Sequence, residues 1–288
     1  MSSIEQSIKR KIESVGTPLK DWDINIYRGV LTGCNEAFII STEKRYEILA
    51  NCETEEERTR TSELIRPILR GRDIKRYGYE WANLYLIATF PACRYDIDNY
   101  PAVKDYLVSF AEQNLRESGN NWVADLYLED YCKQKLAQTG KFIEIKGKRI
   151  YIGNTAEKAR KKTSNKWFET QDSISYWEDF YKPKLFYADI TQQLNFCLCK
   201  EVMFCNNTTY FIATEDEKVL EHLHTYLNSP IVDWYYRTLS VQLGEKAVRM
   251  FSIYVLDIPV PSMAKGNDIY EILKLTPSEI DFIECREH

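Results

Sequence analysis

The chain has few of the residues that nucleotide- and cofactor-dependent enzymes arrange into binding loops. Its 288 residues include 11 glycines, and no two are spaced Gly-x-Gly. This excludes the dinucleotide fingerprint and the glycine-rich loop common in S-adenosylmethionine sites. Neither Gly140-Lys141 nor Gly147-Lys148 follows a glycine five residues earlier, so a P-loop is absent. No two of the nine prolines are adjacent, which removes the Pro-Pro-Tyr/Phe element that holds a flipped adenine, and there is no serine nucleophile elbow.

Long apolar runs and paired cysteines are also missing. No segment approaches the length needed to span a bilayer, and the first residues lack the apolar core of a signal peptide. The eight cysteines are scattered and form no Cys-x-x-Cys pair. These features predict a reduced, cytoplasmic protein that does not enter a membrane.

Acidic residues outnumber basic ones, 43 to 38, but an excess of basic residues is concentrated in two windows. The formal net charge is −5, yet 58–76 carries about +5 and 141–166 about +7, so the remaining residues carry about −17. Two cationic windows on an acidic body could steer a polyanion to one face of the molecule. They could equally be solvated surfaces paired with nearby acids. Charge alone favours the second interpretation.

The segment from Glu63 to Tyr77 alternates cations with short apolar pairs. Pro67 and Gly71 make a continuous helix unfavourable, so we predict a turn-containing segment. We expect its isoleucines and Leu69 to point inward and its arginines to point outward. Arginine forks suit phosphates and guanine edges.

Periodicity along the chain predicts mixed helices and strands without regular alternation, which indicates an α+β fold. The expected fold is a mixed or antiparallel recognition sheet with flanking helices, an inserted helical and hairpin region, and a C-terminal helix. Helices are predicted at 3–15, 42–49, from Pro101, 121–135, 217–227, 231–239 and from about Pro277. Strands are predicted at 23–27, 36–41, 82–89, 142–145, 149–152, 184–187, 196–198, 209–213 and 251–256.

Two weak chemical patterns remain open as alternatives. Glu144-Ile-Lys146 matches half of a magnesium-dependent nuclease site, with Asp125 or Asp130 as the second carboxylate; a surface hairpin is the simpler interpretation. The second pattern has zinc-compatible side chains whose spacing fits no known finger, and buried free thiols are the simpler interpretation. Its members are Cys197, Cys199, Cys205, His222 and His224.

Aromatic residues cluster between Trp167 and Tyr187, directly after Arg160-Lys161-Lys162. Stacking on bases is one interpretation of such a cluster. Core packing is the interpretation we favour, because large aromatics dominate buried area.

Several segments, taken in order, resemble the TaqI-like C-terminal specificity domain found downstream of adenine-specific DNA methyltransferase domains. The resemblance runs from about Ile24 to Pro261, and 118–161 departs from it as an insertion. The matching segments begin at Arg28-Gly-Val-Leu-Thr-Gly, Leu64-Ile-Arg-Pro-Ile-Leu-Arg-Gly-Arg-Asp, Tyr100-Pro-Ala-Val, Lys166-Trp-Phe-Glu, Lys182-Pro-Lys-Leu-Phe-Tyr, Tyr226-Leu-Asn-Ser-Pro and Tyr254-Val-Leu-Asp-Ile-Pro.

The resemblance implies a DNA target recognition domain at 23–262, preceded by an N-terminal helix and lead-in at 1–22 and followed by a helical tail at 263–288. It implies double-stranded DNA and a methyltransferase or endonuclease domain as partners. It implies no cofactor, metal or catalytic residue in this chain, with S-adenosylmethionine bound by the parent or partner enzyme. The predicted DNA contacts are Arg66, Arg70, Arg72, Lys75, Arg76, Thr32, Asn35, Lys148, Arg149, Arg160, Lys161 and Lys162.

Two other functions stay open at this point. One is the magnesium-dependent nuclease built on Glu144 and Lys146. The other is a non-catalytic protein-interaction module dominated by the acidic surface.

Overall fold

The structure is a computed structural model of the chain. It describes residues 1–113, 115–118, 121–124, 143–145, 148–150, 164–244, 246–262 and 268–285. Contact clustering divides the chain into two compact units. Unit 1 contains 1–29, 69–82 and 176–288, and unit 2 contains 30–68 and 83–175.

The described residues form helices that are separated by short strands and turns. In chain order the helices are α1 Ser3–Val15, α2 Asn35–Phe38, α3 Thr42–Ala50, α4 Glu55–Leu64, α5 Pro101–Gln113, α6 Glu217–Leu227, α7 Pro230–Leu239, α8 Ser252–Val255, α9 Ile269–Ile272 and α10 Pro277–Glu284.

The strands are short throughout the described residues. They are β1 Thr17–Pro18, β2 Asn25–Arg28, β3 Ile39–Ser41, β4 Ile65–Leu69, β5 Ile74–Lys75, β6 Gly78–Tyr79, β7 Leu84–Ile87, β8 Leu115–Ser118, β9 Asn121–Ala124, β10 Ile143–Ile145, β11 Lys148–Ile150, β12 Lys184–Ala188, β13 Ile190–Thr191, β14 Phe196–Cys199, β15 Phe204–Cys205, β16 Thr209–Ala213, β17 Gln242–Leu243, β18 Ala247–Arg249 and β19 Pro259–Val260. Antiparallel sheets with interspersed helices confirm the predicted α+β class.

Unit 1 is built on a four-stranded antiparallel sheet with the order β14-β12-β16-β2. Strand β12 is central and buried along most of its length, since Leu185, Phe186 and Tyr187 are all closed to solvent. The amphipathic helices α1, α6 and α7 pack their apolar faces into the same core. A second small sheet, β13-β18-β17, and the β5-β6 hairpin belong to the same unit.

Unit 2 contains an antiparallel set in which β7 pairs with both β3 and β4. Helix α3 begins at the predicted cap, where the Ser41 hydroxyl accepts from the Lys44 N–H. Helix α4 begins with three glutamates, which favour the positive end of its dipole. Glu57 also accepts the Ala102 N–H at 3.1 Å, which ties α4 to the start of α5.

Three predicted elements are wrong in type. The predicted strand 36–41 is helix α2 followed by β3, and the predicted strand 251–256 contains helix α8. In both places a short apolar run fits either structure, and local bonds decide, such as the Leu256 N–H to the Ser252 carbonyl at 2.8 Å. The predicted helix 121–135 begins instead as β9, which pairs with β8 across a sequence rich in turn formers. The rest of that prediction lies outside the described residues.

The aromatic cluster after residue 166 is largely core. Trp167, Phe168, Phe180, Phe186 and Tyr187 are buried, which confirms the core interpretation for these five. Among the described residues, no helix combines the length and the apolar character that a membrane crossing requires.

Candidate nucleic-acid interface

The predicted DNA-contacting residues fall into separate parts of the structure. Four cations of the 63–77 segment lie in unit 1, whereas Thr32, Asn35 and Arg66 lie in unit 2. Lys148 and Arg149 belong to β11, of which the backbone alone is described. Arg160, Lys161 and Lys162 lie outside the described residues.

Arg70 closes a tight turn with Asp73. The Asp73 carboxylate accepts the Arg70 backbone N–H at 2.8 Å, its Nε–H at 3.0 Å and its Nη2–H at 2.8 Å. The Asp73 N–H donates back to the Arg70 carbonyl at 2.9 Å. Hydrogen bonding to Asp73 raises the pKa of Arg70. The expectation that Arg70 points freely outward is therefore wrong: its fork is already engaged in a two-point ion pair.

The turn also packs against the connection between β15 and β16. The Gly71 N–H donates to the Thr208 hydroxyl at 2.9 Å, and a Cβ at Gly71 would lie 2.6 Å from the Thr208 carbonyl oxygen. No side chain fits that space without a shift of backbone. Glycine is required at position 71 by close approach, and the turn is held in a defined position.

The Arg76 side chain is also bonded within the protein. Its Nη2 donates to the carbonyl of Asn228, the residue that ends α6, at 2.6 Å. A cation at the C-terminal end of a helix bonds an otherwise unpaired carbonyl and complements the dipole. Beside it, Tyr77 is 69% exposed and meets the His224 ring edge-on. Arg76 is half-buried, so it too departs from the outward orientation that we predicted.

Arg72 and Lys75 are the exposed cations of this segment. The Lys75 ammonium reaches the Arg72 carbonyl at 3.3 Å and the exposed Glu80 carboxylate at 3.5 Å. Within the described residues, the Arg72 guanidinium makes no hydrogen bond or ion pair. These two side chains stand on a backbone fixed at both ends by Arg70 and Arg76.

Thr32 and Asn35 shape a turn in unit 2. The Thr32 hydroxyl donates to Asn35 Oδ1 at 2.8 Å and accepts the Cys34 N–H at 3.1 Å. Thr32 is closed to solvent, and Asn35 begins α2. Thr32 is thus not presented to a ligand in this structure, and the predicted contact of either residue with DNA stays a prediction.

Arg66 lies in β4, where it pairs with Leu86 of β7. Its neighbours Ile65, Ile68 and Leu69 are buried, and Ile74 is 5% exposed, so the predicted inward positions are confirmed. Arg66 itself is half-buried. Arg66 thus lies at the edge of a core, and its predicted contact with DNA stays a prediction.

Among the described residues, the structure assembles neither the nuclease pattern of Glu144 and Lys146 nor the zinc pattern of cysteines and histidines. In the β10-β11 hairpin, Glu144 lies opposite Arg149 in register, while Lys146, Asp125 and Asp130 lie outside the described residues. Among the residues that the structure describes, no three His, Cys, Asp or Glu side chains are grouped to hold a metal ion. Burial raises the pKa of Cys197 to about 12 and that of Cys199 to about 11, so both thiols stay protonated at neutral pH.

Two arginines near the turn had escaped the sequence analysis. Arg28 ends β2 and Arg249 ends β18, far apart in sequence. Each is surrounded in the chain by ordinary strand residues, so neither produces a cationic window. The charges of both act on the Asp189 carboxyl, and this convergence follows from the pairing of strands, which no local pattern reports.

Comparison with known proteins finds a family model that matches part of the chain. Residues 139–260 match the family model described as the TaqI-like C-terminal specificity domain. The match confirms the resemblance over these residues. It begins inside the segment that we interpreted as an insertion. The domain limits predicted from the sequence stay a prediction.

Comparison with solved structures gives two matches, of which the first shows a similar fold. The type IIG restriction endonuclease BpuSI matches with a TM-score of 0.52 and 13% identity, over 99% of this chain and 28% of BpuSI. The type IIL restriction-modification enzyme MmeI, solved with DNA, matches with a TM-score of 0.42 and 12% identity, over 84% of this chain and 25% of MmeI. The chain thus spans about a quarter of the length of either enzyme. Comparison with curated proteins gives no match.

Proposed function

We propose that this chain, whose residues 139–260 match the TaqI-like C-terminal specificity domain, recognises a duplex DNA sequence on behalf of a restriction-modification enzyme. The family match is the observation that carries the proposal. The lack of nucleotide- and cofactor-binding motifs in the sequence agrees with it, because a recognition domain leaves chemistry to a linked domain.

The partner in this proposal is an N6-adenine methyltransferase or endonuclease domain, encoded with this chain or beside it. That domain would bind S-adenosylmethionine and turn the target adenine out of the helix, which needs a pocket of its own. The recognition domain would hold the surrounding duplex in register. The match to 28% of the length of BpuSI, a type IIG restriction endonuclease, is consistent with this division of labour.

Arg72 and Lys75 are the residues we assign to phosphate contacts. Both are exposed cations, and the backbone that carries them is fixed by the Arg70–Asp73 pair and the Gly71–Thr208 bond. A fixed backbone reduces the ordering that binding requires. The acidic remainder of the chain would repel DNA elsewhere and favour approach by cationic surfaces.

The test measures binding of the full chain to a fluorescent duplex as salt is varied. Because each phosphate contact contributes about 0.9 to the slope of log K against log salt, the double variant Arg72→Ala, Lys75→Ala should have a slope shallower by about 2. The matched control is Lys20→Ala, Lys182→Ala, which removes the same charge from exposed or half-exposed lysines outside the segment from Arg70 to Arg76.

An equal slope for wild type and the Arg72, Lys75 variant would remove the phosphate assignment. Absence of duplex binding by the wild-type chain, both alone and with its methyltransferase partner, would overturn the proposed function itself. The two failures are distinct, because the first requires a wild-type complex to measure.

A further inference from the structure

Asp189, the residue that follows β12, is bonded to two other segments of unit 1. One of them supports the turn from Arg70 to Arg76, which we call the arginine turn. The Asp189 N–H donates to the Thr208 carbonyl at 2.9 Å, and the Met250 N–H donates to the Asp189 carbonyl at 2.8 Å. Thr208 in turn accepts the Gly71 N–H through its hydroxyl. One residue, Asp189, is therefore bonded through its backbone to the connection that supports the turn and to the end of β18.

Arg28 stands beside this junction. It pairs with Tyr210 at the end of the main sheet, is exposed, and donates its Nε–H to the Asn207 carbonyl at 3.0 Å. Its own carbonyl accepts the Tyr176 hydroxyl at 2.6 Å. The backbone is thus held by a sheet and a hydrogen bond, and one edge of the guanidinium is held by a carbonyl.

Arg249 ends β18, the middle strand of the small sheet β13-β18-β17. It lies opposite Ile190, and its N–H donates to the Val241 carbonyl at 3.2 Å. Because its neighbour Val248 is fully buried, Arg249 projects from the opposite, solvent-facing side of the strand. Its guanidinium carbon lies 5.6 Å from the centre of the Phe251 ring.

Exposed apolar side chains surround Arg249. Ile190, Val241 and Phe251 are exposed by 44%, 51% and 38%. Large apolar side chains grouped on a surface indicate contact with something other than water. Phe251 also provides a flat platform that restricts the guanidinium by a cation–π contact.

The charges of Arg28 and Arg249 both act on the Asp189 carboxyl. This carboxyl is half-buried; burial raises its pKa, and the charges of Arg28 and Arg249 oppose that rise. The two side chains are oriented before any ligand arrives by their own contacts, Arg28 by the Asn207 carbonyl and Arg249 by the Phe251 ring.

We propose that Arg28 and Arg249 read guanine bases of the DNA target, beside the phosphate contacts of Arg72 and Lys75. The inference rests on the proposed function and names specificity residues within it. A fork that is already oriented loses little side-chain freedom on forming two parallel bonds to guanine O6 and N7. The apolar side chains of Ile190 and Val241 suit thymine methyl groups in the same groove.

The experiment first selects duplexes from a randomised pool with the full chain, together with its methyltransferase partner if the chain alone selects none. The affinities of the selected and scrambled duplexes are then compared for wild type, Arg28→Lys and Arg249→Lys. Lysine keeps the charge but lacks the fork. We expect each variant to bind scrambled DNA as wild type does and to lose roughly tenfold of the preference for the selected duplex. Lys20→Arg, a swap at an exposed ion-paired side chain, should leave the preference unchanged.

A second measurement changes the DNA instead of the protein. Replacing individual guanines of the selected duplex by 7-deazaguanine removes the N7 acceptor, and wild-type affinity should fall at the positions read by these arginines. In Arg28→Lys or Arg249→Lys the corresponding replacement should have little further effect. Unchanged preference in both lysine variants, or insensitivity of wild type to every 7-deazaguanine, would overturn the assignment. A wild-type protein that selects no sequence, alone or with its partner, would overturn the proposed function as well.

Discussion

Two polar turns were predicted to contact DNA, and they use their side chains differently. In the turn from Thr32 to Asn35, the polar groups bond one another and the local backbone, and Thr32 is closed to solvent. In the turn from Arg70 to Arg76, the outer two arginines bond the protein, while Arg72 between them stays exposed.

The difference follows from the length of the side chains. A threonine hydroxyl reaches only its own turn, so in a tight turn it completes the backbone bonding. An arginine is long enough to hold a turn from its end, as Arg70 does through Asp73, and leaves adjacent positions available. The exposed position of Arg72 therefore depends on the bonds that Arg70 and Arg76 make with the protein.

The largest effect should come from removing the support of the arginine turn. Asp73→Ala leaves the Arg70 N–H and guanidinium without their carboxylate in a mostly buried site, which should cost about 3 kcal/mol of unfolding free energy. Urea denaturation followed by tryptophan fluorescence measures it. Arg72→Ala is the matched control and should change stability by less than about 0.5 kcal/mol. Equal stabilities of the two variants would show that the turn does not depend on the pair.

A smaller effect should follow in the other turn. Thr32→Val keeps the shape of the side chain but removes the hydroxyl that serves Cys34 and Asn35, at a cost of about 1–2 kcal/mol. The same denaturation assay applies, with the exposed Thr59→Val on α4 as control. DNA affinity of folded Thr32→Val should equal that of wild type. A selective loss of DNA affinity without a loss of stability would restore Thr32 as a contact and break the comparison.

The smallest effect should be a pH dependence of the unfolding free energy that arises from His224, beside the arginine turn. Burial lowers the pKa of His224, which packs against Tyr77 beside Arg76. A histidine whose folded pKa is lowered takes up a proton more readily when unfolded. Stability is therefore full above the ordinary pKa of about 6.5 and falls as pH drops below it. Denaturation at pH 7.5 and 5.5 should show a decrease in wild type that is reduced in His224→Gln. An equal decrease in both proteins would contradict a role for His224.

The sequence predicted those helices for which several local features indicate the same structure. Helices α1, α6 and α10 were recovered because apolar spacing, caps and stop residues coincide, as with Thr276 and Glu279 at the start of α10. Helix α8 was missed because its residues fit a strand equally well, and the bonds that decide are made only after the chain folds.

The candidate site was predictable only where it is continuous in sequence. Arg72 stands in a cationic run, and its predicted outward position is confirmed. The engagement of Arg70 depends on Asp73, which in the sequence looks like any acid three residues away. Arg28 and Arg249 approach one carboxylate through three strands, and this convergence is set by tertiary pairing.

The close packing of Gly71 against Thr208 determines where the turn can accept new side chains. Since the backbone at this point has no room for an added Cβ, variation is directed to the neighbouring side chain at position 72, which projects into solvent. A substitution there exchanges one chemical group for another on the same support. Under the proposed function, position 72 is therefore suited to engineering altered affinity for DNA, because new side chains can be tried without redesigning the fold around them.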